Sequence, residues 1–176
     1  MDDSKITKLR QLTGQHNKLV YEAVKAGKVA ELSPENQALA QTMGEHMQLK
    51  HVHNALEFAD LRDGEPYEIE VNGNVVSPLA HVAMHAVAKG QVEADPRVRA
   101  AFEEMVATGA SAHHAEHVLA ALFAGLYFDL FSAAEAGNDV EKARAAYYRK
   151  IVKITRDAVF RRKLLRQFPA DHFGFD

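Results

Sequence analysis

Three pairs of metal-ligating side chains recur at a spacing of four residues: His53 with Glu57, His81 with His85, and His113 with His117. On an α-helix, residues four apart differ by about 40° around the axis and roughly 6 Å along it, so both side chains of a pair can reach one bound atom. Metal sites in helix bundles are assembled in this way, from inward-facing ligands on several helices. The chain has ten histidines, and eight of them (His46, His51, His53, His81, His85, His113, His114 and His117) crowd between positions 46 and 117, far above an even spread. His53, Glu57, His81, His85, His113 and His117 are therefore the candidate metal ligands. Five imidazoles and one carboxylate suit iron, zinc, copper or nickel and are poor for calcium or magnesium, which want oxygen. The expected cofactor is a divalent metal ion, iron or zinc foremost. Six ligands exceed what one tetrahedral zinc takes, so the site is either mononuclear with some of the six outside the coordination sphere, or dinuclear.

The competing reading of each pair is a set of exposed or hydrogen-bonded histidines that bind nothing. Against it stands the roughly 1–3 kcal/mol cost of each buried polar group left without a partner, a cost that one cation removes for all of them together. His46 lies seven residues before His53 and therefore on nearly the same face of the second helix, and Asp60 continues that face. His51 is about 200° from His53 on such a helix and points elsewhere, while His114 sits about 100° from His113, beside the ligands or in solvent. Glu116 either orients a ligand imidazole, as metal sites generally require, or forms a surface pair. No Gly-x-Ser-x-Gly, Walker loop, Gly-x-Gly-x-x-Gly or His-Glu-x-x-His is present, which disfavours serine hydrolases and phosphate-loop enzymes. Whether the protein is an enzyme, and on which small molecule it would act, stays open at this level.

The elements that must carry these residues are helices. Ile6, Leu9, Leu12, Leu19, Val20 and Val24 recur at mostly three- and four-residue steps, predicting a first helix from Ser4 to Lys25 that stops before Gly27. Ser33-Pro34-Glu35 opens a second, running to about Leu61. Residues 67–76 read as a short hairpin, with Tyr67-Glu68-Ile69-Glu70-Val71 alternating before Asn72-Gly73, after breaker chemistry at 62–66. Ser77-Pro78 starts a third helix, to about Gly90; Asp95-Pro96 a fourth, to about Gly109; and Ser111 caps a fifth, to about Gly137. The fifth holds the apolar run Val118–Phe128 and should be central, because a helix apolar all round is buried. A sixth, capped by Asp139, runs to about Phe168. The expected fold is all-α, an antiparallel bundle of five to six helices forming one domain over 1–176. The histidine-rich part lies at about 45–130 and a basic helix at about 139–168.

Composition narrows the setting. With 47% hydrophobic and 26% charged residues in 176, the chain can bury one ordinary core. There is no cysteine, which removes disulfides, thiolate zinc sites, iron–sulfur clusters and cysteine nucleophiles. The longest stretch free of charge and histidine is too short to cross a bilayer, and Met1-Asp2-Asp3 lacks the positive start of a signal peptide, so no membrane association and a cytoplasmic location are expected. Charge is uneven: residues 1–138 hold 11 basic against 19 acidic side chains, and residues 139–176 hold 10 against 5. The basic helix could dock a partner, so the alternative to a metal protein is a metal-free interaction or regulatory module using that helix, or a homo-oligomer packed through it. Nucleic acid is the less favoured partner, since such runs more often balance an acidic body.

The stretch Ser77-Pro78-Leu79-Ala80-His81-Val82-Ala83-Met84-His85, then Gln91, Asp95-Pro96-Arg97-Val98-Arg99 and His113-His114-Ala115-Glu116-His117, resembles the bacterial family known as domain of unknown function 1841. The likeness covers about residues 45–130. Where that family has two histidines flanking an early Pro-Glu-Tyr, this chain has Leu49 and His53, so only the second matches. The resemblance implies a helical fold with a shared histidine set and no particular activity. More loosely, the order His16, His53 with Glu57, His81 with His85, and His113 with His117 is similar to hemerythrin-like metal-binding bundles. Their last ligand pair is a histidine with a carboxylate five residues on, so oxygen binding does not transfer.

Overall fold

The computed structural model describes residues 15–46, 50–58, 67–71, 74–135 and 140–169. Within them lie helices α1 (15–25), α2 (Pro34–His46), α3 (Lys50–Glu57), α4 (Pro78–Ala94), α5 (Pro96–Ala107), α6 (Ala112–Glu135), α7 (Val140–Arg156) and α8 (Ala158–Gln167). A two-stranded antiparallel hairpin, β1 (Ile69–Val71) with β2 (Asn74–Val76), pairs Ile69 with Val76 and Val71 with Asn74. The fold is all-α with this one hairpin, as the periodicity requires. Residues 4–14 of the expected first helix, Asp60, the breaker segment 62–66, the turn Asn72-Gly73, Gly137 and the cap Asp139 lie outside the described residues. The contacts divide into two compact units, Met1–Ala86 with Phe173–Asp176 and Val87–His172, the division falling inside α4.

The helix boundaries follow local chemistry. α1 ends in a paired reverse bond: Lys28 N–H donates to the Ala23 carbonyl (2.8 Å) and Gly27 N–H to that of Val24 (3.1 Å), with Gly27 at φ +69°. α5 ends the same way, through Ala110 N–H to Met105 and Gly109 N–H to Val106, with Gly109 at φ +101°. Only glycine takes that left-handed backbone without strain. At the starts, the Ser77 and Ser111 hydroxyls accept from Ala80 and His114 N–H, and the Asp95 carboxylate accepts from Arg97 N–H ahead of Pro96.

Within the expected second helix Pro34–His46 and Lys50–Glu57 are helical, residues 47–49 lying outside the described ones. The sixth is interrupted at Asp157, whose extended backbone and carboxylate, accepting from Val159 and Phe160 N–H, start α8 afresh. An aspartate inside a helical pattern can be a cap as readily as an exposed interior residue, and local periodicity does not distinguish them.

In the first unit, Val20 and Tyr21 of α1, Ala40 and Met43 of α2, Val52 and Leu56 of α3 and Val82 of α4 form one buried cluster. Lys18 reaches over the end of α3 and donates to the Glu57 carbonyl (3.0 Å), a cation where the helix dipole is negative. In the second unit α5, α6 and α7 pack on one another and α8 packs on α6 and α7. Val98, Met105, Leu119, Ile151, Ile154 and Leu164 are buried there. In α6 Ala115, His117–Ala120 and Leu122 are buried, whereas Gly125, Tyr127 and Asp129 further along are exposed. Arg161 is buried, donating to the Ile154 carbonyl (2.6 Å) and pairing with Glu104 (2.9 Å).

A candidate metal centre built from three histidines

His81 and His85 lie one turn apart on α4, and their ring centroids are 4.6 Å apart. The third ring is His46, the last residue of α2, 5.5 Å from His81 and 5.1 Å from His85. All three are buried, at 2%, 9% and 0% exposure for His46, His81 and His85. One ring nitrogen from each lies within 4.8 Å of the other two, a spacing at which the three could hold a metal ion. Nitrogens bound to a tetrahedral ion at about 2.0–2.1 Å sit about 3.4 Å apart, so a contraction of about 1.4 Å at most closes the set.

The His46 ring is already oriented. Its Nδ1 stands 2.8 Å from the Thr42 carbonyl oxygen, which can only accept, so Nδ1 carries the proton. In the neutral ring the lone pair is then on Nε2, which is shielded from solvent. Metal-ligating histidines characteristically donate their other nitrogen to a carbonyl in this manner, which fixes ring and tautomer together.

The other ligand candidates are placed differently. His53 is exposed on α3, its ring edge-on to Tyr21 at 6.4 Å. Glu57 is held elsewhere: its Oε2 accepts from the Tyr21 hydroxyl (2.7 Å) and from Lys25 Nζ (2.9 Å), tying α3 to α1. These bonds, Lys25 first, hold its carboxyl down at about 2, and burial together with Glu57 pushes the Tyr21 hydroxyl up to about 12. Thus the pair His53–Glu57 is not brought to His81 and His85. His46 joins the cluster without His53, whose ring is exposed.

His113 and His117 belong to the other unit, on α6, with ring centroids 5.9 Å apart; His117 is buried and His113 exposed. Beside them Glu116 pairs with Lys89 at 4.0 Å. His114 is structural: its Nε2 lies 3.0 Å from the Leu165 carbonyl and 2.9 Å from that of Phe168, so it donates to the free end of α8. His51 is half-buried on α3 and His16 is exposed on α1. No family model, curated protein or solved structure matches the chain. Among the described residues no helix is long and apolar enough to cross a membrane.

Proposed function

We propose that this is a metal-binding helical protein of the cytosol whose centre is formed by His46, His81 and His85, holding one divalent first-row ion, zinc or iron. The observation that carries the reading is the approach of one nitrogen from each of three buried imidazoles to within 4.8 Å of the others. Neutral nitrogen donors favour zinc, iron, copper or nickel over calcium or magnesium. Three imidazoles leave a coordination position open, the pattern of catalytic rather than structural zinc, where the ion acidifies a bound water or polarises a carbonyl. Such a centre fits an enzyme of hydrolytic or hydration type if the ion is zinc. With iron it fits oxygen or redox chemistry, the looser similarity to hemerythrin-like bundles being one of spacing alone.

The test is elemental analysis of protein purified without a histidine tag, followed by re-loading with zinc and iron(II). One ion per chain in the parent, with at most about half of that in His81→Gln and His46→Gln at the same free metal and full loading in His53→Gln, is expected. Absence of stoichiometric metal from the parent before and after loading refutes the proposal. A metal-free docking module is the second reading, favoured by the exposure of Lys142, Arg149, Lys150, Arg156, Lys163 and Arg166 along α7 and α8.

A further inference from the structure

Helices α6, α7 and α8 leave between them a pocket of about 280 Å³. Its walls include Leu122 of α6, Leu164 of α8 and the Phe168 side chain just beyond, while Gly125 lines the α6 side with only backbone. Lys150 of α7 and Lys163 of α8 flank this apolar interior. Both are exposed, and among the described residues neither has a hydrogen-bond or ion-pair partner. Lys153, between them in sequence, is by contrast paired with Asp157 at 3.6 Å. The wall is held in place: Phe168 N–H donates to the Leu164 carbonyl (2.9 Å), and His114 ties the Phe168 carbonyl to α6.

An apolar pocket flanked by two uncommitted ammonium groups matches a ligand with an apolar body and one anionic end. The volume lies just below the range of about 300–1,000 Å³ typical for drug-sized ligands, which selects a short body. We propose that this pocket binds a medium-chain alkyl carboxylate, its chain against Leu122, Leu164 and Phe168 and its carboxylate between Lys150 and Lys163. The site lies wholly within Val87–His172 and is independent of the histidine cluster.

Gly125 supplies the decisive variant. A Cβ built there meets nothing within 4 Å, so a side chain can be attached at this point of the pocket wall, and replacing an interior helical glycine raises helix stability. The experiment titrates octanoate, octanol and butyrate into the full-length chain and follows binding by calorimetry and by amide shifts on α6 and α8. Saturable octanoate binding is expected. It should weaken about two- to fivefold in Lys150→Ala and in Lys163→Ala, as exposed ion pairs allow, and further at high salt. Butyrate, four methylenes shorter, should bind at least about 50-fold more weakly. Gly125→Leu should lose binding while melting no lower than the parent. Octanol binding as tightly as octanoate, undiminished octanoate binding by Gly125→Leu, or no saturable binding by the parent overturns the proposal. So does conversion of an oligomer to a monomer by Gly125→Leu in sedimentation, which would mean that a second copy fills the pocket.

Discussion

If His46, His81 and His85 hold a cation, the ion must stabilise the folded chain, and the stabilisation must vanish when one ring is removed. His81→Gln is the best perturbation, because His81 is the least buried of the three and glutamine keeps part of its volume. A ligand that binds only the folded state contributes about 2.7 kcal/mol at one hundred times its Kd. For a chain of 176 residues each kcal/mol moves the melting temperature by about 2–4 °C, so saturating zinc should raise it by about 5–11 °C. Losing a partner that merely orients a ligand costs about 10–100-fold in metal affinity, so losing one of three ligands costs at least about 100-fold. At the same zinc concentration the variant is then only half occupied, worth about 0.4 kcal/mol, and its shift falls to about 1–2 °C. The assay is thermal unfolding by circular dichroism, with chelator and with zinc, for parent, His81→Gln and His53→Gln. Comparing each protein with itself removes any effect of the substitution on the metal-free fold. His53→Gln should keep the full shift, since its ring is exposed and outside the cluster. A full shift in His81→Gln would refute the three-histidine centre, and loss of the shift in both His81→Gln and His53→Gln would restore the grouping drawn from sequence spacing.

Other expectations concern the frame that carries these sites. Glu57 ionises at about 2 in the folded chain against an ordinary 4.5, so its contribution is present above about pH 4.5 and disappears as the pH falls toward 2. Acid titration of stability should therefore be shallower in Glu57→Gln than in the parent, and equal slopes would show that its bonds to Tyr21 and Lys25 contribute nothing. Asp157→Ala removes the side-chain acceptor for two N–H groups and should destabilise by about 1 kcal/mol in denaturant melts, whereas a mid-helix position would gain from alanine. Gly109→Ala forces a Cβ onto φ +101° and should cost about 1–2 kcal/mol, although a Cβ there meets nothing within 4 Å. Arg161→Ala, read in the same melts, should cost about 2–4 kcal/mol because it removes a buried guanidinium bonded to both Ile154 and Glu104.

Helical class, the hairpin at 69–76 and most helix starts were legible from residue types alone, because caps and turns are local chemistry. Ser77-Pro78, Asp95-Pro96, Ser111, Gly27 and Gly109 each act on backbone groups only a few residues away, and each does in the structure what its type prescribes. The pair His81–His85 was legible for the same reason, being one turn of one helix. What tertiary structure alone decided is which further residue meets that pair. His46 stands there, buried against both rings, and His53, two helical turns further along the chain, is exposed instead. Glu57 had a ligand's chemistry and spacing, yet Tyr21 and Lys25, more than thirty residues away in the chain, claim its carboxylate. A helical repeat tells which side chains share a face; it carries no information about what packing brings opposite that face, and a metal centre is made of both.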